Sequence, residues 1–336
     1  MIKLYKIFIK KEVMIMRKYE LATSLHFRYD RECKIPLSHE IERITSCGFK
    51  NLDFNFLDMC MNRNSDFLKD NYIDWIKDCK KTGDLCGAKF VQAHAPCESI
   101  YDTGNYNLLV ELCIKAIKGC AILGIPWMVY HPIPDCKGRF NSDEDIYEFN
   151  YKFFTTILPY AKEYNVGIAI EDIAPMYTNS SMANLTDDLI HLVDALDSPY
   201  VGVCWDVGHA NLCSVISGAE HIAHQSEQII KLGDRLKCTH IHDNNSKRAS
   251  GLGYKMDSDP KKIKWNDACV FDEHIQPFMG DIDWQDVIKG LDAIDYSHYF
   301  TYEAHHAANT LPENLVNSEL VQLRKIGEEI LSMSRL

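Results

Sequence analysis

Eight β-rich runs with helical stretches between them constrain this chain more than any other feature of its sequence. They are Glu20–Phe27, Asn51–Leu57, Ala88–His94, Pro126–His131, Val166–Ile173, Tyr200–Asp206, Leu236–Asp243 and Tyr299–Glu303. The first seven start roughly 35–40 residues apart, the pitch of a repeated strand–helix unit. Apolar residues recur at helical spacing between most of them, as in Leu108 to Ala121 and Ile146 to Ala161. Strand and helix alternate without a break in composition, so one parallel sheet is expected. Eight units predict closure into a single-domain (β/α)8 TIM barrel, with an open doubly wound sheet as the fallback. No Gly-rich turn follows the first strand, which argues against a dinucleotide site. Residues 1–15 are basic and apolar, with lysines that interrupt any signal-peptide core; they are expected outside a barrel that occupies residues 16–336.

Charge and cysteine content narrow the function classes. The net charge of −12 repels phosphate backbones, so nucleic acid is not an expected partner. No run of about 18 apolar residues is present to span a bilayer. The thirteen cysteines are odd in number and form no C-x-x-C pair, and Cys204 and Cys238 fall inside expected strands. That is the pattern of reduced thiols in a cytoplasmic protein, and it fits neither a disulfide framework nor a zinc ribbon.

The chemistry lies where strands end. Strand five closes on Glu171-Asp172, strand six on Trp205-Asp206-Val-Gly-His209, strand seven on His240-Ile-His242-Asp243-Asn244, and strand eight on Tyr302-Glu303. Strand three ends at His94 and strand four at His131. An isolated charge at a low-dielectric barrel mouth is costly, and a shared cation removes that cost. Glu171, Asp206, His240 and Glu303 supply three carboxylates and one imidazole. Such an oxygen-rich set suits Mn²⁺, Mg²⁺ or Co²⁺ better than Zn²⁺. His240 and His242 are two apart on one strand and face the same way, so one can bind metal while the other meets substrate. Any one of these residues alone is more often a structural hydrogen-bonding group; six strand ends together are the signal. Asp172 and Asp243, one residue further on, are read as outward or supporting groups.

These segments resemble the xylose isomerase-like superfamily, which includes sugar and sugar-phosphate isomerases and epimerases and the apurinic/apyrimidinic endonucleases. The resemblance runs from about Tyr19 to the C-terminus. It rests most on Trp205-Asp-Val-Gly-His-Ala-Asn211, His240-Ile-His-Asp-Asn244, and Asp272-Glu-His274 followed by Pro277, Gly280 and Ile282-Asp-Trp284. It implies that Glu171, Asp206, His240 and Glu303 are the metal ligands, with His242 the alternative on strand seven. It also implies a substrate or further-metal role for His209. In the endonuclease branch, a three-zinc site would draw its extra ligands from His94, His131, Asp272 and His274. The sequence Glu171-Asp-Ile-Ala-Pro175 lacks the Asn and Gly that follow the glutamate in those enzymes.

The expected function is a metal-dependent isomerase or epimerase of a sugar or sugar phosphate. Glu171 and Glu303 are its acid and base, and His94, His131, His209, His242 and His274 its substrate contacts. A lyase using the same enolate is the alternative, the nuclease ranks third, and a silent sugar-binding protein is disfavoured by both glutamates. Self-association is left open. The long segment Asn244 to Asp283 is expected to cover the barrel mouth, bringing His274 to the metal and offering Lys247 and Arg248 to an anionic substrate group.

Overall fold

The computed structural model describes residues 19–25, 36–61, 64–97, 106–133, 140–174, 186–216, 224–246, 272–304 and 311–334. Residues 1–15, Lys247 and Arg248 lie outside that set. Eight parallel strands form one sheet: β1 (Glu20–Ser24), β2 (Asn51–Asn55), β3 (Lys89–His94), β4 (Trp127–Tyr130), β5 (Gly167–Glu171), β6 (Val201–Asp206), β7 (Leu236–His240) and β8 (Tyr299–Tyr302). Their order is β7-β6-β5-β4-β3-β2-β1-β8, each strand beside its sequence neighbour, with β1 paired to both β2 and β8. This is the TIM barrel.

The ring closes between β7 and β8 by unusual means. The Thr239 hydroxyl donates to the Tyr299 carbonyl at 2.9 Å and accepts from the Thr301 amide at 3.4 Å. Just beyond, the Ile241 amide donates to the Thr301 carbonyl and the Glu303 amide to that of Ile241, at 2.8 and 3.0 Å. A side-chain hydroxyl thus takes part in stitching a seam that elsewhere in the ring is a backbone ladder.

Among the described residues the helices are α1 (Leu37–Ser46), α2 (Phe56–Met61), α3 (Tyr72–Cys86), α4 (Tyr106–Leu123), α5 (Asp143–Tyr164), α6 (Thr186–Leu196), α7 (Val207–Ile216), α8 (Gln225–Leu232), α9 (Trp284–Ala293) and α10 (Glu313–Leu331). Helix α4 buries Leu109, Leu112, Cys113, Ala116, Ile117 and Cys120, the three-and-four spacing of a helix lying on a sheet. Ser142 caps α5 by accepting from the Asp145 amide, and Asp283 caps α9 by accepting from the Gln285 and Asp286 amides. Most of the core lies between sheet and helices; Val129, Ala169, Cys204 and Cys238 form a second small cluster. All the described cysteines are free thiols. No helix among the described residues is long and apolar enough to cross a membrane.

Several strands are shorter than their apolar runs. Phe56 and Leu57, expected to end strand two, instead begin α2. Strand seven ends at His240 rather than Asp243, because beyond it Ile241 bridges to Tyr302 and Asp243 to Ile275.

Candidate metal centre

Glu171, Asp206 and His240 are the last residues of β5, β6 and β7, and Glu303 follows β8 directly. All four are buried, and one ligand atom from each lies within 4.8 Å of every other. His240 Nδ1 is 2.6 Å from Glu171 Oε1 and 3.6 Å from Glu303 Oε2. The four residues singled out in the sequence therefore converge on one point.

Histidines flank this point on both sides. Towards β3 and β4, His94 and His131 bring their Nε2 atoms 3.1 Å apart, at 3.5 and 3.0 Å from Glu171 Oε2. His94 Nδ1 lies 3.1 Å from the Ala95 carbonyl. That bond places the proton on Nδ1 and leaves the Nε2 lone pair facing the site. On the other side, His209, His242, Asp272 and His274 form a second cluster whose ligand atoms also lie within 4.8 Å of one another. His242 Nε2 sits 3.0 Å from Asp206 Oδ1, which joins the two clusters.

Local sequence explains this placement. Helix α7 starts directly after Asp206, whose Oδ1 accepts from the His209 amide at 2.8 Å and so caps it. His209 Nδ1 donates to the Asp172 carbonyl at 2.8 Å, turning Nε2 toward Asp272 at 3.5 Å. Gly208 leaves room for the His242 ring: a Cβ there would stand 2.0 Å from His242 Cε1. The Asp272–His274 stretch returns to the mouth because Asp243 and Ile275 exchange both backbone hydrogen bonds, at 2.8 and 3.1 Å.

Electrostatics tie the groups together. Burial works to raise the Glu171 carboxyl, yet the charges of His240 and His131 outweigh it and hold it well below the ordinary range. Asp272 is likewise depressed against burial, by His274 and His209. Burial opposes protonation of His274, but Asp272 raises it to about 9. Glu171 and Asp272 are thus held as carboxylates and His274 holds its proton, a proton that a cation entering there would displace.

Three residues beyond the expected site belong to it. Asp172 is buried rather than outward; its Oδ1 accepts from the Asp206 amide at 2.6 Å, and burial beside Asp206 raises its carboxyl well above normal. Asp53 and Gln92 lie in the barrel interior beneath His240 and went unnoticed in the sequence. Their signal is the alternation Asn51-Leu-Asp53-Phe-Asn55, which puts three polar groups on one face of a fully buried strand.

The model of the Xylose isomerase-like TIM barrel family matches residues 50–326. The chain belongs to that family. Protein y4fM of Sinorhizobium fredii, whose function is uncharacterised, is 29% identical over 58% of this chain and 52% of its own. The match therefore spans about half the length of that relative. Two solved structures share the xylose isomerase-like fold over nearly their whole length. A D-tagatose 3-epimerase-like protein matches with a TM-score of 0.67 at 19% identity, covering 94% of this chain and 97% of that one. The IolI protein with a bound zinc atom matches with a TM-score of 0.65 at 17% identity, covering 93% and 98%.

Proposed function

We propose that this xylose isomerase-like barrel is a divalent-metal-dependent isomerase or epimerase of a sugar or sugar derivative. The observation that carries the reading is the convergence of Glu171, Asp206, His240 and Glu303 at the C-terminal end of the barrel, where such folds keep their chemistry. The donor set fits a cation. Glu171 and Asp206 are fully buried, and their partners among the described residues are imidazoles and backbone amides, without lysine or arginine. Three carboxylates and one imidazole suit Mn²⁺, Mg²⁺ or Co²⁺. The D-tagatose 3-epimerase-like neighbour supports the same class, and the zinc atom held by the IolI protein supports a metal in a barrel of this fold. The free, buried thiols of Cys204 and Cys238 suit a reducing cytoplasm.

A cation bound there supplies Lewis-acid polarisation of a substrate carbonyl. Glu171 and Glu303 enter the site from β5 and β8, three strands apart around the ring, and flank the reacting carbon. One takes the proton beside the carbonyl, leaving an enediolate; a proton returned to the other face or the neighbouring carbon gives epimer or isomer. His94, His131, His209, His242 and His274 line the mouth and orient substrate hydroxyls. The test is to incubate the protein with Mn²⁺ and a panel of ketoses and keto-sugars in heavy water. Deuterium is expected at the carbon beside the carbonyl; no incorporation into any member overturns the reading. Exchange accompanied by loss of a leaving group assigns the lyase instead.

One observation favours a second reading, a three-zinc phosphodiesterase. The cluster of His209, His242, Asp272 and His274 has the imidazole-rich chemistry that zinc prefers, and His242 Nδ1 has no hydrogen-bond partner among the described residues. Metal analysis separates the two. One ion per chain supports the isomerase; three zinc ions together with nicking of abasic duplex DNA establish the nuclease.

A further inference from the structure

The barrel interior below the metal centre holds a polar chain that the proposed reaction does not use. The Thr301 hydroxyl on β8 donates to Gln92 Oε1 on β3 at 3.3 Å. Gln92 Nε2 donates to Asp53 Oδ2 on β2 at 3.2 Å. The same Asp53 oxygen lies 3.5 Å from Nε2 of His240 on β7. All four residues are buried, Asp53 at 1% exposure and His240 at 0%. The chain thus crosses the barrel from one strand to its far neighbours and ends on the one imidazole among the four converging ligands.

Two atoms in this chain have no hydrogen-bond partner among the described residues: Asp53 Oδ1 and His240 Nε2. They belong to the two side chains that face each other. A buried carboxylate with an unused oxygen is costly, and an imidazole N–H is its natural complement. The other ring nitrogen, Nδ1, is the one turned to Glu171 and Glu303. A histidine ligand gives its lone pair from one nitrogen and is oriented by what the other donates to.

We infer that Asp53 is a positioning residue for the metal centre. It accepts the Nε2 proton of His240, fixing the tautomer whose Nδ1 lone pair faces the cation, while Gln92 and Thr301 hold the Asp53 carboxylate in place. The inference rests on the metal-centre reading above. It does not depend on which substrate is turned over.

The test uses the full-length protein, freed of metal and titrated calorimetrically with Zn²⁺ and with Mn²⁺. Asp53→Leu removes both acceptor and charge, and affinity is expected to fall about 10–100-fold. Asp53→Asn keeps a carbonyl acceptor and is expected to fall between wild type and the leucine variant. NMR of ring-labelled histidine in the Zn²⁺-loaded wild type, assigned with His240→Gln, is expected to show the proton on Nε2 and the metal on Nδ1. If Asp53→Leu does not fold, this spectrum and the asparagine variant decide the matter. Unchanged affinity in both variants, or a proton on Nδ1, overturns the role of Asp53. A wild-type protein that binds neither ion overturns the metal centre itself, and with it this inference.

Discussion

The imidazole of His242 lies flat on that of His274, ring centroids 3.8 Å apart and planes 12° from parallel. One ring belongs to the stretch that continues β7, the other to the segment that returns to the barrel mouth. Each points Nε2 at a carboxylate, His242 at Asp206 and His274 at Asp272, at 3.0 and 3.1 Å. His274 has a backbone φ of 44°, left-handed and unfavourable for a residue with a Cβ. Its Nδ1 donates to the Glu303 carbonyl at 3.0 Å, and the exchange between Ile275 and Asp243 holds the next residue. Strain of this kind persists where surrounding bonds over-determine it.

Glu303→Gln retains the size of the side chain and one oxygen, and removes the proposed proton-transfer group. On any substrate that the exchange screen identifies, turnover is expected to fall by about 10²–10⁴-fold with the melting temperature little changed. Steady-state kinetics beside a thermal melt checks this; an unaltered rate would leave Glu303 as a ligand only.

Gly208→Ala inserts a methyl group at 2.0 Å from the His242 ring. The ring must swing away from Asp206 and off His274. Overpacking is expected to cost about 1–3 kcal/mol in denaturant unfolding. Metal affinity should weaken with it, measured by titration on the same sample.

Asp243 is the acceptor that shapes the return segment. Its Oδ1 accepts from the amides of Asn244 and Ile282, its Oδ2 from the Phe278 amide and the Trp284 indole, at 2.9 to 3.3 Å. Gly280 passes so close that a Cβ there would stand 2.2 Å from Oδ1. Asp243→Ala leaves these buried donors unpaired and is expected to destabilise by at least about 3 kcal/mol, each lost partner costing on the order of 1 kcal/mol. A red-shifted Trp284 emission, assigned with a Trp284→Phe control, would report the loosened segment.

Glu40 offers a pH test remote from the site. It is buried in α1, 3.3 Å from Arg43 Nη2, and Arg43 also pairs with Glu313 on α10. Burial raises its carboxyl above the ordinary 4.5 in spite of Arg43. A group raised on folding contributes stability that is complete below its unfolded value and is lost as pH rises through its folded one. Glu40→Gln is therefore expected to stabilise the protein at neutral pH by about 1 kcal/mol and to flatten this part of the stability–pH curve. Urea unfolding at a series of pH values above 4.5 measures it.

How much of this was legible follows from where each residue sits. Glu171, Asp206, His240 and Glu303 could be read because each ends an apolar run, and in a barrel every such end reaches the same mouth. Asp272 and His274 came with the family resemblance and with the expectation that the long segment covers the mouth. They lie in a loop whose path is set by Asp243, Asn244 and Asp281, contacts between distant residues that no local pattern encodes. Strand ends were overrun for a related reason: Phe56 is as apolar as a strand residue, yet its place in α2 is decided by packing against Phe54 and Phe67. Asp53 stayed hidden because alternation in a short strand normally signals one wet face, whereas here both faces are buried.

The seam between β7 and β8 would give a cation held at the proposed centre a second office. His240 and His242 stand on one bank of that join and Glu303 on the other, and the backbone crossing it includes the bonds of Ile241 to Thr301 and Glu303. An ion gripped from both banks is a rivet in the wall of the ring as well as a reagent in its mouth. Stripping it should let the hoop slacken at this join first. The amides of Ile241 and Glu303 are then expected to exchange with solvent sooner than those of β3 and β4 on the opposite wall, and adding the ion back should erase the difference.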